Sequence, residues 1–511
     1  MSPKYYLAAV ALLAIGGTGC SSGQSGQTGT GGTTGTGGTT ATGGVAGQTS
    51  TGEGGSAIGG TSGAAGRGGN SGTGGQATGG ASGSGGLVGT GGQAGSGAGG
   101  RQQTGGATGA AGAVGAGGQS GRGGAGGSMS TGGKGGGGAT GAGGGAGSPA
   151  VAATPPMGWN SWNTFGCSPS ESLVKAVADT FVSSGMAAVG YQYVNIDDCW
   201  MNGRDSSGNL QWDTSKFPDG IPALATYVHG KGLKLGIYET PSANTCAGKT
   251  GGQGHESQDA NTFASWGVDY LKYDDCGGAL SSFTTMHNAL VATGRPIFYS
   301  INPVYGSGSC VPPTCSVDEV KVCNMWRIGF DINASWSSFT GLIDIDKPLA
   351  QYAAPGHWND PDMLEVGRGM SADEDRSHFG MWAMLAAPLI AGNDIRSMST
   401  TTKAILTNAD VVAVDQDPLG KQATLVATPG SNLQVWSKQL SGTNAYAVAL
   451  FNRSGAAASI SVTWSQIGLP AGSATVRDLY AQKDLGTSTD SYTATSVPTH
   501  GVVMLKIVSG P

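Results

Sequence analysis

Eight short apolar or aromatic runs, spaced fairly evenly after Pro155, constrain the fold of this chain more than any other feature. Most of them end in polar residues, and longer amphipathic stretches separate them. Strands that alternate with helices in this way are typical of a parallel sheet, and eight of them predict an α/β fold, the closed (β/α)8 or TIM barrel. The runs are Met157 to Trp162, Tyr191 to Ile196, Leu233 to Tyr238, Val268 to Tyr273, Pro296 to Ser300, Met325 to Ile328, Gly356 to Asn359 and Pro388 to Ala391.

The stretches between these runs predict helices. The first is the clearest, because Ser168-Pro169-Ser170-Glu171 form a capping-box pattern with proline at the first helical position, and Gly185 is the expected stop. Similar amphipathic segments lie at Ile221 to Val228, Thr262 to Trp266 and Phe379 to Leu385.

Beyond about Asp417 the pattern changes to strands without helices between them. Turn residues separate five runs, which predict antiparallel pairing: Asn432 to Ser437, Ala445 to Phe451, Ala458 to Trp464, Thr475 to Leu479 and Gly501 to Ile507. We therefore expect a barrel over residues 151–420 and a C-terminal β-sandwich over 421–511. The sandwich is expected to be a structural module packed on the barrel; separate sugar binding is the alternative, although no distinct aromatic platform is present.

The first 150 residues differ in composition from the rest, and they hold most of the 97 glycines. Residues 1–20 combine Lys4, an apolar run from Tyr5 to Ile15 and Gly17-Thr18-Gly19-Cys20, which resembles a bacterial lipoprotein signal with Cys20 as the lipidated residue. A cleaved secretory signal and a chance pattern are the alternatives. Residues 21–150 have no apolar period, so we expect a disordered linker, either a selected spacer or a neutral repeat expansion. Either signal would place the protein outside the cytoplasm.

Charge and cysteine content limit the partners. From Val151 onward the chain has 21 basic and 31 acidic residues, a formal net charge of −10, which disfavours nucleic acid or anionic lipid as partner of the folded part. A membrane is expected only through the lipid anchor. In an exported chain the seven cysteines after Cys20 should mostly be paired. Neither they nor the six histidines have compact ligand spacing, so no metal or cofactor is expected.

Carboxylates follow several of the predicted strands. Asp197-Asp198 and Asp274-Asp275 come directly after two of them, Asp331 follows a third, and Asp360-Pro361-Asp362 follow a fourth. The carboxyl ends of barrel strands gather at one mouth, where the active sites of such barrels lie. Two carboxylates that act across one bond are the chemistry of glycoside hydrolysis. Capping of the following helix is the alternative role for each carboxylate.

Six motifs, in chain order from about Pro155, resemble glycoside hydrolase family 27, the α-galactosidases and α-N-acetylgalactosaminidases. They are Met157-Gly158-Trp159-Asn160-Ser161-Trp162, Ile196-Asp197-Asp198-Cys199-Trp200, Leu235-Gly236-Ile237-Tyr238, Leu271-Lys272-Tyr273-Asp274, Trp358-Asn359-Asp360-Pro361-Asp362-Met363 and Asp415-Gln416-Asp417-Pro418-Leu419-Gly420. The resemblance implies a retaining exo-α-galactosidase that acts on oligo- or polysaccharides, with Asp274 as nucleophile and Asp331 as general acid and then base.

Elementary chemistry agrees with this division of roles. Lys272 lies two residues before Asp274 on the same strand face and favours the ionised nucleophile, whereas Asp275, the competing candidate, falls on the other face. The acid must keep its proton, which requires a drier or more acidic neighbourhood around Asp331.

The resemblance also implies how a sugar is held. Asp197 and Asp198 would bind the 4- and 6-hydroxyls, and Lys272, Arg327 and Asp362 the remaining hydroxyls. Trp162 and Tyr238 would supply apolar faces, although each could equally be core. The implied barrel disulfides are Cys167 with Cys199 and Cys246 with Cys276.

One segment departs from the family pattern. Ile301-Asn302-Pro303-Val304-Tyr305 stands where many members have Cys-Glu-Trp-Pro, so the neutral Asn302 would face the 2-position of the sugar and leaves its substituent open. The isoleucine also removes a usual cysteine, which leaves Cys323 to pair with Cys310 or Cys315.

Other functions remain open at this point. The alternative enzymes are an α-N-acetylgalactosaminidase, a β-L-arabinopyranosidase, which Asp198 disfavours, and an isomaltodextranase-like hydrolase. A catalytically dead, surface-tethered sugar-binding protein is the alternative from another class, and the presence of both Asp274 and Asp331 weighs against it. The sequence does not fix the oligomeric state.

Overall fold

The structure is a computed structural model, and it describes residues 151–303 and 322–510. The predicted signal with Cys20, the predicted linker at 21–150, and Cys310 and Cys315 lie outside these residues. Within the described part, no helix combines the length and apolar character needed to cross a bilayer.

The elements alternate through the barrel and then become all-β. The strands are β1 (Met157–Asn160), β2 (Tyr193–Asn195), β3 (Met201–Arg204), β4 (Leu210–Trp212), β5 (Lys234–Glu239), β6 (Tyr270–Asp274), β7 (Phe298–Asn302), β8 (Met325–Arg327), β9 (Trp358–Asp360), β10 (Leu389–Ala391), β11 (Thr424–Gly430), β12 (Leu433–Gln439), β13 (Ala445–Asn452), β14 (Ala458–Thr463), β15 (Ser473–Asp478), β16 (Lys483–Thr489), β17 (Ser491–Val497) and β18 (Val502–Ser509). The described α-helices are α1 (Trp162–Phe165), α2 (Glu171–Ser184), α3 (Ile221–Gly230), α4 (Glu256–Trp266), α5 (Ser281–Ala292), α6 (Trp336–Asp346), α7 (Ala372–Leu385), α8 (Thr400–Leu406) and α9 (Ala409–Asp415).

All eight predicted barrel strands are present and pair in parallel in the order β10-β1-β2-β5-β6-β7-β8-β9. Between the two ends of this order, a parallel bridge joins Leu364 to Ala391. The amide of Leu364 donates to the carbonyl of Ile390 at 2.8 Å, and the amide of Gly392 donates to the carbonyl of Leu364 at 2.9 Å. The curled sheet is therefore bridged just beyond β9, and the predicted (β/α)8 fold is confirmed.

An aromatic layer fills the barrel below the strand ends. Tyr270 on β6 stacks on Phe298 of β7 with ring centroids 5.0 Å apart, and Tyr193 of β2 packs edge-on against Phe298 and at a tilt against Tyr270. Since side chains of a strand alternate between faces, the next inward positions on β6 are Lys272 and Asp274. The apolar layer thus forms the support for those two polar side chains.

The helix predicted from the capping pattern is α2, and it begins later than that pattern predicts. Ser170, not Ser168, is the N-cap, since its side chain accepts a hydrogen bond from the amide of Leu173 at 3.2 Å while its backbone is extended. Glu171 does not close a capping box but pairs with Lys175 one turn on. The predicted stop at Gly185 is confirmed, with φ 88°.

Two other helices extend further towards their N-termini than predicted. α4 begins at Glu256 and α7 at Ala372. The sequence did not predict these first turns because they are polar and carry no apolar period. α7 has a complete capping box, in which the side chain of Ser371 accepts from the amide of Glu374 and the side chain of Glu374 accepts from the amide of Ser371.

The C-terminal domain is the predicted antiparallel sandwich. β11-β12-β13-β18-β15-β16 form one sheet, β14 and β17 pair separately, and apolar side chains between them form a second core that includes Val435, Val448, Leu450, Ile460 and Val462. The five predicted strands are present, and β11, β16 and β17 are additional. The domain boundary at residue 420 stays a prediction.

The sandwich packs on α7 through polar and apolar contacts. Lys438 of β12 is buried and donates from Nζ to the carbonyl of Ala383 in the last turn of α7 at 2.9 Å. Its burial lowers the pKa of Lys438, and burial raises the pKa of the neighbouring Asp415. The sandwich also contacts α6, where the ring of His500 stacks on Trp336 with centroids 3.9 Å apart.

Candidate active site

A cavity of about 260 Å³ opens at the carboxyl ends of the barrel strands. Every residue that the sequence predicts for catalysis or sugar binding lines it, although these residues come from seven different strands or the loops that follow them. They are Trp162, Asp197, Asp198, Tyr238, Lys272, Asp274, Asn302, Arg327, Asp331 and Asp362, and the lining also includes Asn163, Cys246, Ile332 and Met363.

Asp274 lies at the floor of this cavity as the last residue of β6. Its Oδ2 accepts a hydrogen bond from the hydroxyl of Tyr238 at 3.1 Å, and the ammonium of Lys272 lies 3.8 Å away. Burial raises the pKa of Asp274, while Lys272 and a hydrogen bond from the side chain of Asn302 act in the opposite direction. The carboxylate is thus withdrawn from water but keeps partners that stabilise its negative charge.

Lys272 is shared between two carboxylates. Its Nζ lies 2.8 Å from Oδ2 of Asp197 and 3.8 Å from Oδ2 of Asp274, and 5.2 Å from the centre of the Tyr238 ring. Burial opposes the charge of Lys272, but the two carboxylates outweigh it and raise its pKa. The ammonium therefore remains charged between the two groups at neutral pH.

Asp275 is turned away from the cavity, as strand alternation predicts. Its Oδ1 accepts from the amides of Gly277 and Gly278, both at 2.9 Å, and it does not line the cavity. This carboxylate stabilises the turn after β6.

Asp198 is held by backbone amides that lie next to the two disulfides. Oδ1 of Asp198 accepts from the amide of Cys199 at 2.6 Å and its Oδ2 from the amide of Ala247 at 2.9 Å, and burial raises its pKa. Cys199 has φ 74°, a left-handed conformation that a non-glycine residue rarely adopts. It is linked to Cys167. The second predicted disulfide, Cys246–Cys276, is also formed and connects the Ala247 loop to the turn after β6.

Arg327 organises the opposite side of the cavity. Its Nη2 lies 2.8 Å from Oδ2 of Asp362 and 3.0 Å from Oδ1 of Asp331. Asp362 has φ 83°, and its Oδ2 also accepts from the amide of Ile332 at 2.9 Å. The strained backbone at Asp362 thus aims one carboxylate oxygen at both Arg327 and the loop that carries Asp331.

Asp331 does not have the environment that the sequence predicts. Its side chain is 63% exposed, and its nearest charged partner is the guanidinium of Arg327. Among the described residues no dry neighbourhood surrounds it, because it lies on a loop four residues beyond the last residue of β8, and the nearby Asp362 is paired with the same nitrogen of Arg327.

The two aromatic residues contact the cavity differently. Trp162 is half-buried on α1, whereas Tyr238 is 1% exposed and also donates its hydroxyl to Asp274. Burial and the neighbouring carboxylates raise the pKa of Tyr238, so the hydroxyl keeps its proton. Tyr238 therefore supplies a polar contact in addition to the predicted apolar face.

Sequence reasoning missed two supporting residues. Asn160 donates to Oδ2 of Asp197 at 2.8 Å and accepts from the amide of Trp162 at 2.8 Å. Asp360 is buried and accepts from the amide of Asp362 at 2.8 Å, and burial raises its pKa to about 6. Both residues lie inside the motifs that resemble family 27, and their place in these motifs could have identified them as site residues.

The site offers little to a metal ion. The sulfur atoms of Cys246 and Cys276 and a carboxylate oxygen of Asp274 lie within 4.8 Å of one another. Both sulfur atoms belong to the disulfide, so neither is a thiolate ligand.

Comparison with known protein families finds two matches. The family model described as alpha galactosidase A matches residues 154–417, and the model of the alpha galactosidase C-terminal beta sandwich domain matches residues 430–507. Together they cover the barrel and the second domain.

Individual relatives agree with these models. The chain is 48% identical over 330 residues to an alpha-galactosidase A of Cellvibrio japonicus, covering 62% of this chain and 80% of the relative. It is 52% identical over 340 residues to an alpha-galactosidase of Coffea arabica (65% and 88%) and 39% identical over 380 residues to an alpha-N-acetylgalactosaminidase of Gallus gallus (69% and 93%).

Solved structures share the fold. Alpha-galactosidase I from Mortierella vinacea aligns with a TM-score of 0.65 at 38% identity, covering 70% of this chain and 98% of that one. An alpha-galactosidase from Saccharomyces cerevisiae with raffinose aligns with a TM-score of 0.64 at 29% identity, covering 70% and 97%.

Proposed function

This chain belongs to the alpha-galactosidase family of glycoside hydrolases, family 27, and we propose that it is an exported exo-α-galactosidase that retains anomeric configuration. Its substrates would be oligo- or polysaccharides with terminal α-D-galactosyl residues. Asp274 is the nucleophile, and Asp331 is the general acid and then the base.

One observation carries this proposal, the convergence of all ten predicted residues on a single small cavity. At about 260 Å³ the cavity falls just below the usual range for ligand sites, which fits one terminal sugar rather than the interior of a chain. The buried end at Asp274 and the exposed end at Asp331 give the bound sugar a direction. Its anomeric carbon lies between the two carboxylates.

The reaction proceeds in two steps. A carboxylate oxygen of Asp274 attacks the anomeric carbon while the bond to the glycosidic oxygen breaks and the Asp331 carboxyl gives its proton to that oxygen. The Asp331 carboxylate then takes a proton from water, the water oxygen bonds to the anomeric carbon, and the ester to Asp274 breaks. Two inversions return the α-configuration, and Asp331 is protonated again for the next cycle.

The environments of the two carboxylates suit these steps. Lys272 and Tyr238 stabilise the Asp274 carboxylate before attack and as it departs. Asp331 is open to solvent in the structure. A substrate that occupies the cavity would cover it and supply the drier surroundings that an acid requires.

Export is supported by two kinds of feature. Two disulfides are typical of an oxidising compartment, and the predicted signal before Cys20 fits the same location. A lipid on Cys20 with the glycine-rich linker would tether the barrel at a cell surface.

The second candidate is α-N-acetylgalactosaminidase activity. Asn302, at the end of β7, is 2% exposed and hydrogen-bonds with Asp274. Its amide could accept or donate towards either a hydroxyl or an acetamido group at the 2-position. The Gallus gallus relative carries the second activity in its name.

Release of 4-nitrophenol from three substrates tests both candidates, namely the α-galactoside, the α-N-acetylgalactosaminide and the β-L-arabinopyranoside. We expect the full chain to prefer the α-galactoside and Asp274→Ala to be inactive. A preference for the N-acetyl sugar would establish the second candidate. No cleavage of any of the three by the folded wild-type chain would reject the hydrolase proposal.

A further inference from the structure

Phe330 stands out on the surface of the barrel mouth. Its side chain is 73% exposed, more than any other large hydrophobic residue of the described part, and the others in that group, Val182, Val291, Leu419 and Leu485, are aliphatic. It lies between β8 and α6 and directly precedes Asp331. A single exposed apolar residue is normal on a protein surface, so only the surroundings of Phe330 can indicate a binding role.

Phe330 lines a second cavity, of about 400 Å³, which adjoins the first at Asp331. Asp331 is the one described residue that lines both cavities. Phe330 forms one wall of the second cavity, and the lining beyond Phe330 and Asp331 comes from the start and one face of α6: Asn333, Ser337, Ser338, Gly341, Leu342 and Ile345. The carboxyl group of Asp331 therefore stands at the boundary between two spaces.

The walls of the second cavity are fixed locally. Ser335 caps α6 by accepting from the amide of Ser338 at 3.3 Å, and its hydroxyl donates to Oδ1 of Asn333 at 2.6 Å. The hydroxyl of Ser338 accepts from the amide of Asn333 at 3.0 Å. The turn that carries Asp331 is thus tied to the first turn of α6, with serine and asparagine groups at its edge.

The chemistry of the proposed reaction gives this second cavity a role. A general acid must contact the glycosidic oxygen, which joins the anomeric carbon to the leaving group. If the galactosyl ring fills the first cavity, the leaving group on the glycosidic oxygen lies next to the Asp331 carboxyl, which also borders the second cavity. We propose that the second cavity is a subsite for the leaving-group sugar, with the Phe330 ring packed against its apolar C–H face and the polar edge at Asn333 and Ser337 bonding its hydroxyls. The inference rests on the proposed function.

A pair of substrates separates this role from a structural one. Melibiose has a sugar leaving group, whereas α-galactosyl fluoride has a leaving atom that is too small to reach Phe330. In Phe330→Ala we expect kcat/KM for melibiose to fall about tenfold, mainly through KM, which corresponds to about 1.4 kcal/mol. We expect kcat/KM for the fluoride to stay within about twofold, and Phe330→Tyr to keep the wild-type value for melibiose.

Leu485→Ala is the matched control, since Leu485 is also an exposed apolar residue but lies on β16 of the sandwich. Leu485→Ala should leave kcat/KM unchanged for both substrates. An equal loss of kcat/KM for both substrates in Phe330→Ala would overturn the proposal, because the residue would then act on the galactosyl site that both substrates share. A loss for melibiose in kcat alone, with KM unchanged, would overturn it too, because that is the effect expected of a displaced Asp331 acid. No loss for melibiose would place the leaving group elsewhere and overturn it as well. Failure of the proposed function has a different signature, which is a wild-type chain that hydrolyses neither substrate.

Discussion

The floor and the rim of the cavity hold their carboxylates in opposite ways. At the floor, Asp274 ends a barrel strand, is buried, and has Tyr238 and Lys272 beside it. At the rim, Asp331 lies on a loop, is 63% exposed, and has Arg327 as its ion-pair partner. Asp274 has its partners in place before a ligand arrives, whereas in the proposed mechanism Asp331 becomes enclosed only when a substrate binds.

This difference follows from the proposed chemistry. A nucleophile must be charged and aligned at the moment of attack, which favours a rigid strand end and fixed partners. An acid that later becomes a base must exchange a proton with each incoming water, which favours access to solvent. Floor and rim should therefore respond differently to substitution.

Removal of the floor carboxylate should have the largest effect. Asp274→Ala should lower kcat by about 10⁴-fold or more for every α-galactoside, because no covalent intermediate can form. Added azide should restore turnover of α-galactosyl fluoride by direct attack and give the β-galactosyl azide, which nuclear magnetic resonance identifies. Asp275→Asn, one residue away but outside the cavity, should stay within a few-fold of wild type. Activity in Asp274→Ala without azide would mean that another group is the nucleophile.

Removal of the rim carboxylate should depend on the leaving group. Asp331→Ala should lower kcat/KM for melibiose by about 10³-fold, but for α-galactosyl fluoride by less than about tenfold, since fluoride departs without a proton. Azide should now attack the galactosyl-enzyme and yield the α-galactosyl azide, the opposite anomer to that of the floor variant. Similar losses for both substrates would show that Asp331 acts on the structure of the site rather than on the leaving oxygen.

Substitution of Lys272 should have a smaller effect, which appears in the pH dependence of kcat/KM. Lys272 lowers the pKa of Asp274, so Lys272→Met should raise it. The reaction needs the ionised carboxylate, so the acidic limb of kcat/KM should move to higher pH. At pH 7 kcat/KM should also fall by about 10 to 100-fold as a sugar contact is lost.

Lys234→Met is the matched control for this shift. Lys234 also lies over a tyrosine ring, 4.9 Å from the centre of Tyr193, but at the start of β5 and away from the cavity. The control should leave the limb in place. If the acidic limb of kcat/KM stays at the wild-type pH in Lys272→Met as well, the ammonium of Lys272 does not govern the ionisation of Asp274.

The parts of the fold that bury apolar side chains could be predicted from the sequence. Each barrel strand is an apolar run, so all eight were found within about two residues of their ends. The polar first turn of α7 and the exposed strand β16, with Lys483 and Thr489 at its ends, leave no such signal. Strands that face water on both sides are visible only through their pairing partners.

The site divides in the same way. Its carboxylates could be named because they follow strand ends, and the sugar-binding residues because the resemblance to glycoside hydrolase family 27 implies them. Their surroundings could not, because the exposure of Asp331, the hydroxyl contact of Tyr238 and the left-handed backbone of Asp362 depend on segments far apart in the chain. No sequence pattern pointed to Phe330, because its role depends on the packing of the Asp331 turn against α6.

The buried lysine between the two domains bears on how such proteins can be rearranged. Lys438 comes from the sandwich, yet its ammonium stabilises the C-terminal end of a barrel helix and lies near Asp415. A barrel cut free of its partner would keep the helix end and the acid but lose the cation. We therefore expect that exchange of the sandwich for one without a lysine at this position would destabilise this end of the barrel helix.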